Sequence, residues 1–491
     1  MEFMFEVLHK DLLGRIGRLH TPHGVVETPT IMPVINPNLI LVKPCDMAEY
    51  GAEIIITNAY VIYRNQSLRE EALRRGVHAL IGWEKPLMTD SGSYQLYEYG
   101  DLGVRNREIV EFQVRIGSDI VVPLDIPTPP FVSRRKALKD VEETLRRAEE
   151  AKTLVNLRDE ERPLIAGVVQ GSTYTDLRES CAERLSGFDI YPIGGIVPLL
   201  EIYDFKRIVD IVMAVKRKLP PNAPVHLFGA GHPMFFALAV AMGCDIFDSA
   251  AYALYARDGR YLTNEGTYHV KNLNYLPCSC PICTSHSVRE LMESVEILAS
   301  HNLYATFEEM RTVKQSIVEG SLWELCERRC RAHPALLDGL KRFAKYADFI
   351  EKYDSATKHP FFYLSEISAK RPEVRRFAKK ISRLNLRGNV LITTSMLSEH
   401  EAEKRRYDHI LIMKPPFGAF PEELSETYPV GQSEIPEDIE DSALEIALEN
   451  VMKLINANKN AKFTVECEER WMKLKKMEDL REMENVVIVH R

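Results

Sequence analysis

No apolar run among the 491 residues reaches the length needed to cross a bilayer, and Lys43, Asp46 and Glu49 break up the early apolar stretch. Residues Met1 to Lys10 carry acids at Glu2 and Glu6 and lack the layout of a signal peptide, so a cytoplasmic protein with no membrane contact is expected. Positive charge is not in excess. A net charge of −8 removes any whole-surface attraction to a polyanion and confines a nucleic-acid site to a local patch. Tryptophan is scarce at three residues, which counts against a sugar-binding cleft. No G-x-G-x-x-G follows the first strand, which disfavours a dinucleotide-binding open sheet. Cysteine is scarce too, at nine residues, but Cys278, Cys280 and Cys283 crowd into six positions.

What is present is a strong alternation. Short apolar or β-branched runs at Thr30–Ile35, Glu53–Asn58, Pro86–Asp90, Asp119–Asp125, Pro163–Gln170, Asp189–Gly195, Val225–Gly229 and Asp245–Ser249 predict buried strands. Helical patterns separate them, the longest being amphipathic Lys136–Val155 with Leu138, Val141, Leu145 and Ala148 on one stripe. Eight such alternations predict an α/β fold, a (β/α)8 barrel over residues 1–273. A zinc-binding and helical segment over 274–351 is expected to complete it. A basic domain over 361–430 and a small α/β domain over 442–491 are expected to follow.

Such a barrel gathers the C-terminal strand ends into one mouth. Strand three ends Asp90-Ser91-Gly92-Ser93-Tyr94-Gln95, strand four Asp125, strand five Gln170-Gly171, strand six Gly194-Gly195, strand seven Gly229-Ala230-Gly231-His232 and strand eight Asp248-Ser249. Each residue alone reads as a cap, a turn or a packed ring, and Asp248 alone reads as a helix cap. Together they supply three carboxylates, an amide, backbone N–H groups and an aromatic face. Two carboxylates facing one substrate suit displacement at an anomeric carbon, one attacking and one moving protons. An amide, glycine N–H groups and Tyr94 suit the edge and the face of a flat heterocycle.

The three clustered cysteines form a metal-ligand pattern, and Zn2+ takes four sulfur or nitrogen ligands. From spacing alone the fourth is open between His286 and His301. Cys326 and Cys330, four residues apart in a helical pattern, read as buried small residues. Between Ser368 and Arg387 lie eight cations: Lys370, Arg371, Arg375, Arg376, Lys379, Lys380, Arg383 and Arg387. This is either a solvated helix face or a phosphate contact.

These motifs, with Thr28-Pro-Thr-Ile-Met-Pro-Val34 and Phe228-Gly-Ala-Gly-His232, resemble the tRNA-guanine transglycosylases, most closely the archaeal type. The resemblance covers roughly residues 5–350 and extends more loosely beyond. Gly92-Ser93-Tyr94 replaces the Gly-Gly-Phe of bacterial relatives. The resemblance implies that Asp248 is the nucleophile attacking C1′ of a ribose and Asp90 the general acid/base. It implies that Asp125, Gln170, Gly195, Ser91 and Tyr94 bind the base, and that Cys278, Cys280, Cys283 and His301 hold one structural Zn2+. The implied substrates are tRNA, whose D-loop guanine (position 15) is released, and 7-cyano-7-deazaguanine (preQ0), toward archaeosine. A homodimer is implied, and no RNA-binding domain of the PUA type is expected after Arg491. The alternatives are queuine or preQ1 exchange at the wobble guanine, a retaining glycosidase, and a silent tRNA-binding subunit.

Overall fold

All eight expected strands form: β4 (Thr30–Ile35), β5 (Ile55–Asn58), β6 (Leu87–Asp90), β7 (Ile120–Val121), β8 (Leu164–Ile165), β9 (Tyr191–Ile193), β10 (Val225–Leu227) and β11 (Ile246–Ser249). They follow three strands that the apolar pattern does not reveal, β1 (Phe5–Asp11), β2 (Gly14–Thr21) and β3 (Gly24–Thr28), which form an antiparallel meander. The computed structural model describes residues 4–95, 103–156, 162–358, 360–395 and 406–490. It divides into two units, Met1–Val318 with Leu325–Phe343, and Glu319–Glu324 with Ala344–Arg491.

In the first unit the eight strands are parallel, in the order β8-β7-β6-β5-β4-β11-β10-β9. Bridges from Ala166 to Ile190 and from Val169 to Ile193 join the two ends. The Gly167 N–H donates to Ile190 O (2.8 Å) and the Val169 N–H to Pro192 O (2.7 Å), so the ring closes into a (β/α)8 barrel. Phe5, Leu19 and Val26 of the meander share one apolar core with the barrel residues Met32, Met88, Ile120, Ala166 and Ile246. A hairpin, β12 (Arg260–Leu262) and β13 (Thr267–His269), leads on to the cysteine-rich segment.

All the strands but β4 are shorter than their predicted runs, β7 and β8 most of all. The run Asp119–Asp125 pairs as a strand only at β7 because side chains satisfy its later backbone groups. Gln113 accepts from the Val122 N–H (3.0 Å) and donates to Val122 O (2.8 Å), and Asn106 accepts from the Leu124 N–H (2.9 Å). The segment carrying Asp125 is thus pinned by polar side chains from the helix Asn106–Arg115 rather than by a ladder.

Aspartates also stand at the opposite strand ends. Asp119 accepts from the Leu87 N–H, Asp189 from the Ile165 N–H and Asp245 from the Val225 N–H, each at 2.8 Å. Each also meets basic side chains: Asp119 meets His23 and His78, Asp189 meets Arg162, and Asp245 takes a two-pronged contact from buried Arg15 (2.7 and 2.8 Å). Asp119 Oδ1 accepts from the His23 N–H and faces His23 Nδ1, and Oδ2 accepts from the Leu87 N–H with His78 Nε2 3.1 Å away.

The second unit holds a five-stranded sheet in the order β17-β16-β15-β19-β20: β15 (Asn389–Thr393), β16 (His409–Lys414), β17 (Gly418–Pro421), β19 (Lys462–Cys467) and β20 (Val486–His490). A two-stranded pair, β14 (Phe361–Phe362) with β18 (Ser433–Glu434), accompanies it. The stretches 361–430 and 442–491 both supply strands to the larger sheet and side chains to one core that includes Phe361, Phe417, Leu448, Phe463 and Met477. No helix of the described residues is long and apolar enough to span a membrane.

Candidate active site

The barrel brings Asp90, Asp125, Gln170, Gly195 and Asp248 to the C-terminal ends of its strands or just beyond them. Asp90 closes β6, paired in register with Asn58 at the end of β5. The Asn58 Nδ2 donates to Asp90 Oδ2 and to Gln95 Oε1, both at 3.0 Å. Burial, then the negative charges of Asp125 and Asp248, push the Asp90 carboxyl up to about 7, although N–H groups of Gly92 and Ser91 oppose this. A carboxyl that titrates near neutrality can accept a proton and return it.

Asp125 is buried, and burial raises its carboxyl above the ordinary range against hydrogen bonds from Ser93 and Gln170. The Gln170 Nε2 donates to Asp125 Oδ2 at 2.6 Å, and the Thr128 N–H donates to Gln170 Oε1 at 3.5 Å. Gln170 is itself packed against the glycine pair that ends strand six. A Cβ on Gly194 would lie 2.4 Å from Gln170 Nε2, and one on Gly195, whose φ is +70°, would lie 2.9 Å from Thr128 O. Only glycine lets this backbone approach so closely.

Ser91 is buried and bonded to Ser93 Oγ (3.0 Å) and Pro123 O (3.1 Å), so Ser93, not Ser91, touches Asp125. Tyr94 is half exposed.

Asp248 lies on β11, its Oδ1 taking the Gly229 N–H (2.9 Å) and the His226 Nε2 (2.8 Å). His226 on β10 is fully buried. Its sequence setting, Val225-His226-Leu227, reads only as an apolar strand with one polar intruder, and that intruder was the available signal. A second residue escaped the sequence reading. Arg178 is fully buried and donates to Val169 O, Gly194 O and Ser172 O (2.8, 2.8 and 2.9 Å), tying the ends of strands five and six together.

Cys278, Cys280, Cys283 and His301 place their ligand atoms within 4.8 Å of one another, and the group can hold a metal ion. The His301 Nδ1 faces Cys283 Sγ (3.2 Å) and Cys280 Sγ (3.5 Å), while its Nε2 faces Leu262 O (3.0 Å). A carbonyl behind the ring fixes the tautomer that leaves Nδ1 free to ligate. Tyr261 stacks on the ring at 3.6 Å. His286 instead turns its Nδ1 to Ile282 O (3.0 Å) and stands outside the cluster.

The cation run at Ser368–Arg387 is only partly an open surface. Arg371 is buried, paired with Glu324 and Glu373, and its guanidinium lies 4.3 Å from the Phe361 ring centre. Arg376 pairs with Glu351, and Lys379 with Asp348 and Glu351. Lys370, Arg375, Lys380, Arg383 and Arg387 are exposed.

Comparison with known proteins places this geometry. A family model described as "Queuine tRNA-ribosyltransferase" matches residues 11–335. A protein of Methanosarcina barkeri named tRNA-guanine(15) transglycosylase is 53% identical over 476 residues, 96% of this chain and 95% of its own. A protein of the same name from Archaeoglobus fulgidus is 49% identical, covering 96% of each chain. One from Methanocaldococcus jannaschii is 50% identical over 456 residues, 88% of this chain but 68% of its own longer one.

Proposed function

The chain belongs to the queuine tRNA-ribosyltransferase family, and from that premise we propose that it exchanges the D-loop guanine at position 15 of tRNA for preQ0, in archaeosine formation. The observation that carries the reading is the meeting of Asp90, Asp125 and Asp248 around one ring of strand ends, close enough for Asp90 to feel both other charges. Its relatives' printed name, which specifies guanine 15, selects the D-loop over the wobble position.

In the first half-reaction an Asp248 oxygen bonds to C1′ as the C1′–N9 bond breaks. The bond pair leaves on guanine N9, which takes a proton from the neutral Asp90 carboxyl. Guanine then gives way to preQ0. The Asp90 carboxylate removes the N9 proton of preQ0, N9 bonds to C1′, and the ester bond to Asp248 breaks. Two displacements at one carbon retain its configuration. Asp125 and Gln170 read the donor edge of the base, the Gly195 N–H its carbonyl, and Tyr94 its face, with Ser93 bracing Asp125 and Ser91 bracing Ser93. The donor set of three thiolates and one imidazole fits zinc, which would be held structurally with no open position. The proposed partners are tRNA, both bases and a second copy of the chain, in the cytoplasm.

The test is incorporation of labelled preQ0 into unmodified tRNA with the modified nucleotide mapped. Label at position 15, absent with Asp248→Ala, is the expected result. Label at the wobble base, or no exchange by zinc-replete protein that binds tRNA, overturns the reading.

A further inference from the structure

The hydrogen bonds around Asp248 point beyond the nucleophile itself. Its side chain is 15% exposed, opening to the mouth, whereas the His226 side chain beside it is fully enclosed. The His226 Nδ1 is buried and has no hydrogen-bond partner among the described residues. The Nε2 faces a carboxylate oxygen, which accepts, so Nε2 donates its hydrogen to Asp248 Oδ1 at 2.8 Å. The ring cannot swing away, because Phe228 packs edge-on against it with centroids 4.5 Å apart. Register sets the approach: His226 pairs with Ile246 across β10 and β11, so its side chain and that of Asp248, two residues further on, emerge on the same face of the sheet.

The Gly229 N–H reaches the same oxygen at 2.9 Å. Two donors on Oδ1 hold the carboxylate in one plane and draw its charge toward that oxygen. We propose that His226 is a positioning residue for the exchange reaction: it fixes Asp248 through Oδ1, so that Oδ2 is the atom that bonds to C1′. The proposal rests on Asp248 being the nucleophile. His226 itself gives up no proton in the reaction. Its donor supports the anion, and that support must weaken and return as the ester forms and breaks. An apolar side chain of similar size would leave Oδ1 with the Gly229 N–H as its one remaining donor of the two and hold the carboxylate less firmly.

The experiment compares His226→Leu with His226→Gln, since a glutamine Nε2 can reach where the imidazole Nε2 does. Exchange kinetics are measured with tRNA and base varied separately, along with the rate at which a denaturation-resistant protein–tRNA adduct forms. For His226→Leu the expected result is a fall in kcat on the order of 100-fold, with KM for tRNA and for base nearly unchanged. Adduct formation should slow to match. For His226→Gln the expected result is a kcat within about tenfold of the parent. The proposal is overturned by a Leu variant whose kcat stays within about twofold of the parent. It is also overturned if both variants lose the same activity together with melting temperature, which is the mark of packing alone. If Asp248→Asn still exchanges base, the nucleophile assignment fails. If Asp248→Asn is dead and His226→Leu is normal, only the present proposal fails.

Discussion

Three aspartates with the same chemistry face one mouth, and their surroundings separate them. Asp90 gains from burial and from two like charges, and its carboxyl reaches about 7. A change of Asp125 to Asn removes one of those charges, so the pH optimum of exchange should move down, as read from kcat against pH. The sign for stability is the reverse of the usual carboxylate case. The folded state holds the Asp90 proton more tightly than the unfolded chain, so the fold loses stability as pH rises from 3.8 through about 7. Asp90→Asn should therefore lose exchange yet melt higher than the parent at pH 8, by at most about 4 kcal/mol before solvent screening reduces it. At pH 3 the two should melt together. Gly194→Ala, with its methyl 2.4 Å from Gln170 Nε2, should raise KM for the base by roughly tenfold or more while the circular dichroism stays unchanged. The acids and glycines were legible because carboxylates and glycines at strand ends are conspicuous. His226 and Arg178 were not, because a lone polar residue in an apolar strand and one more arginine on a helix carry no pattern of their own.

Strands β7 and β11 are bracketed by aspartates, Asp119 and Asp125 on one and Asp245 and Asp248 on the other. Aspartates at the mouth are left to chemistry, while Asp119, Asp189 and Asp245 at the far end cap a neighbouring strand and take a basic partner. The sequence separates the two sets only by which end of an apolar run each Asp occupies, and it does not show their partners. What distinguishes them is which end of the strand they occupy and which side chains arrive from elsewhere, and Arg15 arrives from 230 residues away. Arg15→Met leaves Asp245 buried without its cation and should cost about 3–5 kcal/mol in denaturant unfolding. Asp119 behaves as an ordinary paired acid. Burial opposes its ionisation, but hydrogen bonds from His78, His23 and the Leu87 N–H outweigh it and hold it below 3.8. Its contribution is complete at neutral pH and is lost as pH falls below that value. The β1–β3 meander went unseen for a related reason. Residues such as Glu6, His9 and Lys10 interrupt its apolar alternation, and its core contacts are made with a barrel distant in sequence.

At the scale of the whole chain, each of the two units has an apolar core of its own. Calorimetry should show two transitions. The cluster of Cys278, Cys280, Cys283 and His301 belongs to the first unit, so a strong chelator should lower one transition by at least about 5 °C and leave the other in place. His301→Ala should imitate the chelator and His286→Ala should not. The barrel was readable at this scale from eight repeated alternations. The second unit was less so, because its strands are separated by stretches of unequal length and its sheet order does not follow the chain.

The second unit is also discontinuous. Its segment Glu319–Glu324 is separated from the remainder by Leu325–Phe343 of the first. Glu324 is a partner of buried Arg371, 47 residues later, and also receives the Phe362 N–H. The ribosome therefore delivers an anion early that must wait, through the synthesis of a piece of the other unit, for the cation that neutralises it. A fragment begun at Ala344 would contain every strand of the sheet and keep Arg371 paired with Glu373, but it would lose the Glu324 carboxylate that Arg371 and the Phe362 N–H both use, so the two halves of this chain cannot be parted with a single cut.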